Sequence, residues 1–306
     1  MIQQDFKNIL QLHDAYPTEQ SCIEQLESIR WDGNVVSPYD ITSFVYKCKD
    51  NKYICKNTGK TFNVRTGTMY ESSRIPLRKW FVAVWLVTCE KKGVPSTELA
   101  RMVGITQKSA WFMLHRIRKQ FGISNDEPPL TGEVEMDESF FGGKNKNRHW
   151  NKKVKNSQGR SFKDKTPVLG MVERGGSLIA NVIPDTSQKS ITPIVLQRVD
   201  TSATIYTDEW MGYDKVGALY HREFVDHGKG QYSTGNITTN RIENFWSIIK
   251  RGIIGVYQMA SRKHLQKYVD EFVWRYNVRK LKHYEAFGIA LCNMQHRLTY
   301  KQLIYG

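Results

Sequence analysis

The chain has 306 residues, 40% of them hydrophobic, which is enough to bury a substantial core without disulfide or metal staples and to form about two domains. Lysine and arginine number 45 against 30 acidic residues, a net charge of +15, so a polyanion is the first partner to consider. A mean hydropathy of −0.52, with no apolar run near the roughly 20 residues a spanning helix needs, excludes a membrane-spanning helix and leaves nucleic acid ahead of a membrane surface.

At the N-terminus, MIQQDFKNIL lacks the basic flank, apolar stretch and cleavage site of a secretory signal. The five cysteines, Cys22, Cys48, Cys55, Cys89 and Cys292, are odd in number and scattered, so no disulfide framework is expected. Both observations point to the cytoplasm, with the protein acting where it is made.

Residues 1 to about 30 carry a helical apolar pattern, and residues 35 to 68 change to β-branched and aromatic residues broken by Gly, Asn and Pro. The second stretch reads as a small β-rich module. Tyr53 to Thr68 has the cadence of a zinc-ribbon strand and turn, yet only Cys55 stands at a ligand position and the chain contains no C-x-x-C pair, so structural zinc is not expected. From Pro76, the residues Leu77, Trp80, Phe81, Val84 and Trp85 recur at helical spacing up to Gly93, and the apolar run Trp80 to Cys89 fits a buried helix.

Ser96 to Val103, a Gly104-Ile105 turn and Thr106 to Lys119 describe a helix-turn-helix whose second helix begins at a Thr cap. Lys108, Arg116, Arg118 and Lys119 on that second helix are the expected DNA contacts, and His115 reads as a packing or surface residue. An ordinary αα-hairpin with solvated basic residues is the competing reading. Residues 122 to 131, with Asn125, Asp126, Pro128 and Pro129, have linker chemistry and mark a domain boundary.

Beyond the linker the pattern is α/β. Strands are expected at 132–136, 167–173, 178–183, 204–207 and 223–225, the second and third forming a hairpin around Gly175-Gly176. Helices are expected over about 190–199 and from about residues 240 and 263. The apolar series Leu265, Tyr268, Val269, Phe272, Val273 and Tyr276 reads as core.

Phosphodiester chemistry with divalent metals calls for hard oxygen ligands at the ends of core elements. Asp137 lies at the end of the first of these strands, Asp208 at the end of the buried Ile205-Tyr-Thr207 strand, and Glu243 near the start of a helix. On that helix Ile242, Phe245, Trp246 and Ile249 form an apolar stripe, with Asn240, Glu243, Ser247 and Lys250 in a polar stripe beside it. Any one such Glu and Lys could be ordinary surface residues. Residues 142–165 hold nine Lys or Arg against one Asp. A run of this kind is usually a solvated loop, but its place just after Asp137 suits a backbone-gripping loop through Lys144, Lys146, Arg148, Lys152, Lys153 and Lys155, with Trp150 and Phe162 available to stack on bases.

The order of several motifs resembles a known family, the bacterial insertion-sequence transposases with an N-terminal zinc ribbon, a helix-turn-helix and an ISXO-type DDE catalytic domain. The matching pieces are Arg65-Thr-Gly-Thr68, Pro76-Leu-Arg-Lys-Trp80, Ala110 to Arg118, Asp137-Glu-Ser-Phe-Phe-Gly-Gly143, Lys165 to Gly170, Thr207-Asp-Glu-Trp-Met-Gly-Tyr213 and Asn240 to Gly252. The resemblance implies a ribonuclease H-like mixed sheet flanked by helices, preceded by the ribbon-like module and the helix-turn-helix. It also implies Asp137, Asp208 and Glu243 as ligands of Mg²⁺ or Mn²⁺, two ions in all, with Asn240 and Lys250 as active-site neighbours. Some family members have Asn in the third position, which sets Asn240 beside Glu243; the carboxylate is the better ligand for a hard cation. The chain departs from the family at the ribbon, where Ser37-Pro-Tyr-Asp40 and Cys55-Lys-Asn-Thr58 replace two cysteine knuckles.

The expected organisation is therefore residues 1–70 as an N-terminal helix and degenerate ribbon, 71–130 as the helix-turn-helix region, and 131–306 as the catalytic domain. The expected function is a transposase that binds the terminal inverted repeats of its element, cleaves there and joins the freed 3′-hydroxyl to target DNA, working as a homodimer or larger assembly. A domesticated DNA-binding regulator without catalysis and a junction-type nuclease are the competing readings. Retention of three acidic positions counts against the first, and more than a third of the chain given to end-binding modules counts against the second.

Overall fold

A computed structural model of the chain describes residues 5–122, 128–143, 149–155, 161, 164–225 and 238–306. The chain divides into two compact units, residues 1–124 with 280–306, and residues 125–279.

In the first unit α1 (Ile9–Ala15) starts at Asn8, whose side chain accepts from the amides of Leu10 and Gln11 and so satisfies donors the helix leaves unpaired. Thr18 and Ser21 cap α2 (Glu19–Trp31) reciprocally. The strands β1 (Val45–Lys47), β2 (Tyr53–Cys55) and β3 (Thr61–Phe62) form an antiparallel meander. Its Tyr53 and Phe62 rings stack, and Trp31 of α2 meets both edge-on. Next, α3 (Leu77–Cys89) buries most of its circumference, as its long apolar run requires. The turn between α4 (Ser96–Val103) and α5 (Gln107–Phe121) passes through Gly104 at φ 66°, a left-handed conformation that glycine adopts without Cβ strain.

The second unit is built on a five-stranded sheet of β4 (Glu133–Phe141), β5 (Thr166–Glu173), β6 (Leu178–Val182), β7 (Thr204–Asp208) and β8 (His221–Val225). Their spatial order is β6-β5-β4-β7-β8. β5 runs antiparallel to both β4 and β6, whereas β7 pairs parallel with β4 and β8 parallel with β7. That order and those directions make the sheet ribonuclease H-like, a mixed sheet with helices on both faces. One face carries Val134, Met136, Leu169, Met171 and Ile205 against α6 (Gln188–Arg198) and the short α7 (Asp214–Gly217). The other carries Phe141, Val168 and Val172 against α8 (Asn240–Gly255) and α9 (Leu265–Asn277). Alternation along each strand distributes the apolar residues between the two layers.

The first strand runs past its expected end at residue 136. Eight antiparallel pairs with β5, from Val134↔Glu173 to Phe141↔Thr166, carry β4 on to Phe141. Asp137 therefore lies in mid-strand.

After α9 the chain returns to the first unit with α10 (His283–Cys292) and α11 (Tyr300–Tyr305). Phe287 of α10 sits among Phe6, Tyr16, Phe81 and Trp85, and the amide of Met69 donates to the carbonyl of Met294. The division thus differs from the three segments read from the sequence: residues 1–70 and 71–124 fall in one compact unit, and residues 280–306 leave the catalytic segment to complete it. The reason is the apolar face of α10, with Phe287 and Leu291 fully buried against the N-terminal helices.

Candidate active site

Parallel pairing between β4 and β7 runs from Glu133↔Thr204 to Glu135↔Tyr206. Continuing that register by two residues sets Asp137 opposite Asp208, at the point where the paired stretch ends. Crevices outside the carboxyl ends of parallel strands are where open α/β sheets place their ligands. On its other side Asp137 pairs with Gly170 of β5. A Cβ at Gly170 would lie 2.6 Å from Ile242 Cδ1 and 2.6 Å from Trp246 Cζ2, so the bare backbone is what lets α8 seat itself there. Trp246 Nε1 then donates to Asp137 Oδ2 at 3.0 Å.

On α8, Ile242, Phe245, Trp246 and Ile249 are buried, whereas Asn240, Glu243, Ser247 and Lys250 are exposed. The two stripes expected from helical spacing are both present. Glu243 accepts from Thr239 Oγ1 at 3.0 Å, and Asp208 accepts from the amide of Trp210 at 3.1 Å.

The carboxyl of Asp137 is raised to about 6, first by burial and then by the negative charges of Asp208 and Glu243, while hydrogen bonds from the Glu138 backbone and from Trp246 oppose the rise. Burial rather than like charge is thus the larger cause, the reverse of the usual argument for a carboxylate cluster. Burial also lowers the ammonium of Lys250, against which Asp137 pulls upward and Lys165 pushes downward. Lys250 therefore lies in electrostatic reach of Asp137. Beneath the site Tyr213, fully buried, is held far above the ordinary phenol range by burial and by Glu138, Asp137 and Asp208. Hard carboxylate oxygens are the right donor chemistry for Mg²⁺ or Mn²⁺. Among the described residues, no three carboxylate, imidazole or thiol groups already form a ligand shell.

Residues 129–277 match the ISXO2-like transposase domain. The matched stretch coincides closely with the second compact unit, residues 125–279. The whole chain is 27% identical over 291 residues to an uncharacterized protein in transposable element ISH50 of Halobacterium salinarum, covering 90% of this chain and 97% of the relative. Since that organism is an archaeon, the bacterial attribution drawn from the motifs is too narrow. An uncharacterized transposase-like protein of Haemophilus influenzae is 25% identical over 101 residues, 33% of this chain and 81% of its own length. A pre-cleavage Mos1 transpososome structure aligns over 69% of this chain and 77% of its own with 14% identity and a TM-score of 0.27.

The basic residues expected to touch DNA separate into distinct groups. Arg116 and Arg118 on α5 are only 5% and 1% exposed. Arg116 donates to the carbonyls of Leu298 and Met69 at 3.0 and 2.9 Å and stacks on Phe112, and burial lowers its guanidinium to about 10. These two arginines are structural, because the C-terminal segment covers the middle of α5. Lys119 donates to the carbonyl of Arg297 at 2.9 Å. Lys108, near the N-terminus of α5, stays exposed beside the Tyr300 ring. His115 is a packing residue, fully buried and edge-on to Trp111. In the second unit Lys152, Lys153 and Lys155 are exposed and Trp150 is 86% exposed, whereas Lys144, Lys146, Arg148 and Phe162 lie outside the described residues.

In the ribbon, Cys55 is fully buried. Burial raises its thiol, but hydrogen bonds with Ser37, Ser43 and Thr58 outweigh that and bring it down to about 6. Ser37 Oγ accepts from the amides of Tyr39 and Asp40, and Asp40 accepts from Asn57 Nδ2 at 2.8 Å. Hydrogen bonds between the two turns thus join the positions where the resemblance leads one to expect four thiolates.

Sequence reading did not single out Glu135, Arg174, Trp246 as a hydrogen-bond donor, or Tyr213. A visible signal existed for the first: in Glu133-Val-Glu-Met-Asp137 the acids alternate on one strand face, so a charge at 135 must find a partner inside the fold.

Proposed function

We propose that the chain is a DDE transposase that binds the ends of its insertion sequence, cleaves DNA there and transfers the freed strand to target DNA. What supports this reading is geometry within a stretch similar to a transposase domain: the β4–β7 register sets Asp137 opposite Asp208, and Trp246 of α8, the helix that bears Glu243, donates to Asp137. In this reading the three carboxylates hold divalent metal, which when bound activates the attacking oxygen and stabilises the leaving one. Asp137 gives up its proton before it can serve as a ligand. Trp246 holds one Asp137 oxygen in a fixed direction. Thr239 does the same for Glu243, whose carboxylate is a better third ligand for a hard cation than the amide of Asn240. Lys250, on the same exposed stripe, supplies positive charge for the DNA backbone close to the scissile group.

DNA-end binding belongs to the first unit. The exposed N-terminal part of α5, with Lys108, is the part of a recognition helix that reaches base edges in helix-turn-helix proteins. Lys152, Lys153 and Lys155, a few residues beyond β4, serve the backbone of the same DNA.

The test is Asp208→Asn. It should abolish cleavage of labelled element ends in Mg²⁺ and leave gel-shift affinity for those ends nearly unchanged, because recognition and chemistry use different residues. Retained cleavage would overturn the catalytic assignment, and joint loss of binding and cleavage would overturn the division of labour.

A further inference from the structure

We infer that Glu135 and Arg174 are positioning residues that set the spacing of the three carboxylates; this rests on the active-site reading above. Glu135 is a charged residue with no exposed surface, in the middle of β4. Such a residue is costly to bury unless fully partnered.

Its partners are specific. Glu135 Oε2 accepts from the backbone amides of Arg241 at 2.8 Å and Ile242 at 3.4 Å. These lie in the first turn of α8, whose own N-cap, Thr239, makes no side-chain cap hydrogen bond to the helix and is engaged with Glu243 instead. The helix is thus capped by a carboxylate from another element, with the negative charge at the positive end of the helix dipole. Glu135 Oε1 accepts from Arg174 Nε at 3.0 Å and lies 3.6 Å from Arg241 Nη1.

Arg174 extends the network to the remaining elements. Its Nη1 donates to Glu133 at 3.1 Å and its Nη2 to the carbonyl of Thr238 at 3.2 Å. Its guanidinium lies over the Tyr206 ring at 4.1 Å, and the Tyr206 hydroxyl donates to Glu133 at 3.0 Å.

The sequence positions of these groups give the network its consequence. Glu135 precedes Asp137 by two residues on β4, and Tyr206 precedes Asp208 by two on β7. The amides that Glu135 holds belong to the two residues just before Glu243. One buried acid and one arginine therefore tie together the backbone segments from which all three carboxylates project. A strand-to-strand hydrogen-bond ladder already fixes β4 against β7, but nothing in that ladder fixes the depth or rotation of α8. Glu135 and Arg174 do so. The Glu135 side chain is 1% exposed and that of Arg174 11%, so both act through the carboxylates. Groups that orient ligands in this way typically change metal affinity or activity by roughly 10–100-fold when replaced.

The experiment uses the full-length protein in four forms: wild type, Glu135→Gln, Arg174→Lys and, as control, Asp208→Asn. Hydrogen exchange of the α8 first-turn peptide is read without metal. Mn²⁺ binding is read by electron paramagnetic resonance, and cleavage is read against Mg²⁺ concentration. Glu135→Gln keeps an oxygen for the amides but loses the charge that holds Arg174. We expect faster exchange in the first turn of α8, a roughly tenfold or larger weakening of Mn²⁺ binding, and a higher Mg²⁺ requirement that saturating Mg²⁺ partly restores, with end binding intact. Arg174→Lys should shift the same readouts in the same direction, and it decides the matter if Glu135→Gln fails to fold. Unchanged α8 exchange and Mn²⁺ binding in a folded variant would overturn the inference. Loss of activity that Mg²⁺ cannot restore, with Mn²⁺ binding unchanged, would equally overturn it. If Asp208→Asn binds Mn²⁺ and cleaves as the wild type does, the active-site reading itself has failed, whatever Glu135 does.

Discussion

Gly170→Ala tests how closely the site depends on the seating of α8. Gly170 pairs with Asp137 across β4 and β5, and a Cβ there would meet Ile242 and Trp246 side-chain carbons at 2.6 Å. Ordinary carbon contacts are about 3.5–4.0 Å, so the helix side chains must retreat by roughly 1 Å. Overpacking of that kind costs about 1–3 kcal/mol. For a unit of about 150 residues this corresponds to a fall in Tm of roughly 2–12 °C. The effect on catalysis should be the larger one. The same retreat pulls Trp246 Nε1 away from Asp137 and shifts Glu243 on the same helix, and a displacement near 1 Å in a catalytic array costs on the order of 100-fold in rate. Melting followed by circular dichroism, alongside cleavage of a labelled element end, separates the two effects. A Gly170→Ala protein that melts and cleaves like the wild type would refute the close seating of α8 on β5 and the reason given for glycine at this position.

Metal-free stability should depend on pH through Asp137. Its folded value of about 6 lies above the unfolded carboxylate value, so the stability this group contributes is complete below about pH 4 and is lost as pH rises through 6, by roughly 3 kcal/mol at most. Urea unfolding at pH 5 and 7.5 should show roughly half of that loss in the wild type and little of it in Asp137→Asn; equal losses in both would assign the effect elsewhere. Arg116→Ala should lower Tm, because it strips two buried carbonyls of their donor, without changing the salt slope of DNA binding. Lys108→Ala should do the opposite, leaving Tm alone and reducing the slope by about 0.9 if it contacts one phosphate. Purified protein should contain no stoichiometric zinc by elemental analysis, since Ser37, Asp40 and Thr58 stand where thiolates are expected; one zinc per chain would show that other ligands rebuilt the site.

What could be read from the sequence was whatever depends on neighbours along the chain. Period-2 alternation located all five strands of the ribonuclease H-like sheet, and helical spacing separated the buried stripe of α8 from the stripe bearing Glu243 and Lys250, because both periodicities are properties of a single element. The cap at Thr106 and the turn at Gly104 are local for the same reason. Exposure is not local. Arg116 and Arg118 look like DNA contacts on a basic helix until residues 293–299 are laid across it, and nothing within α5 signals that a segment nearly two hundred residues later will cover it. The return of α10 to the first unit, the extension of β4 past Asp137 and the capping of α8 by Glu135 have the same origin. Each is decided by which distant surface an apolar face or a buried charge finds as its partner, and that choice exists only once the chain has folded.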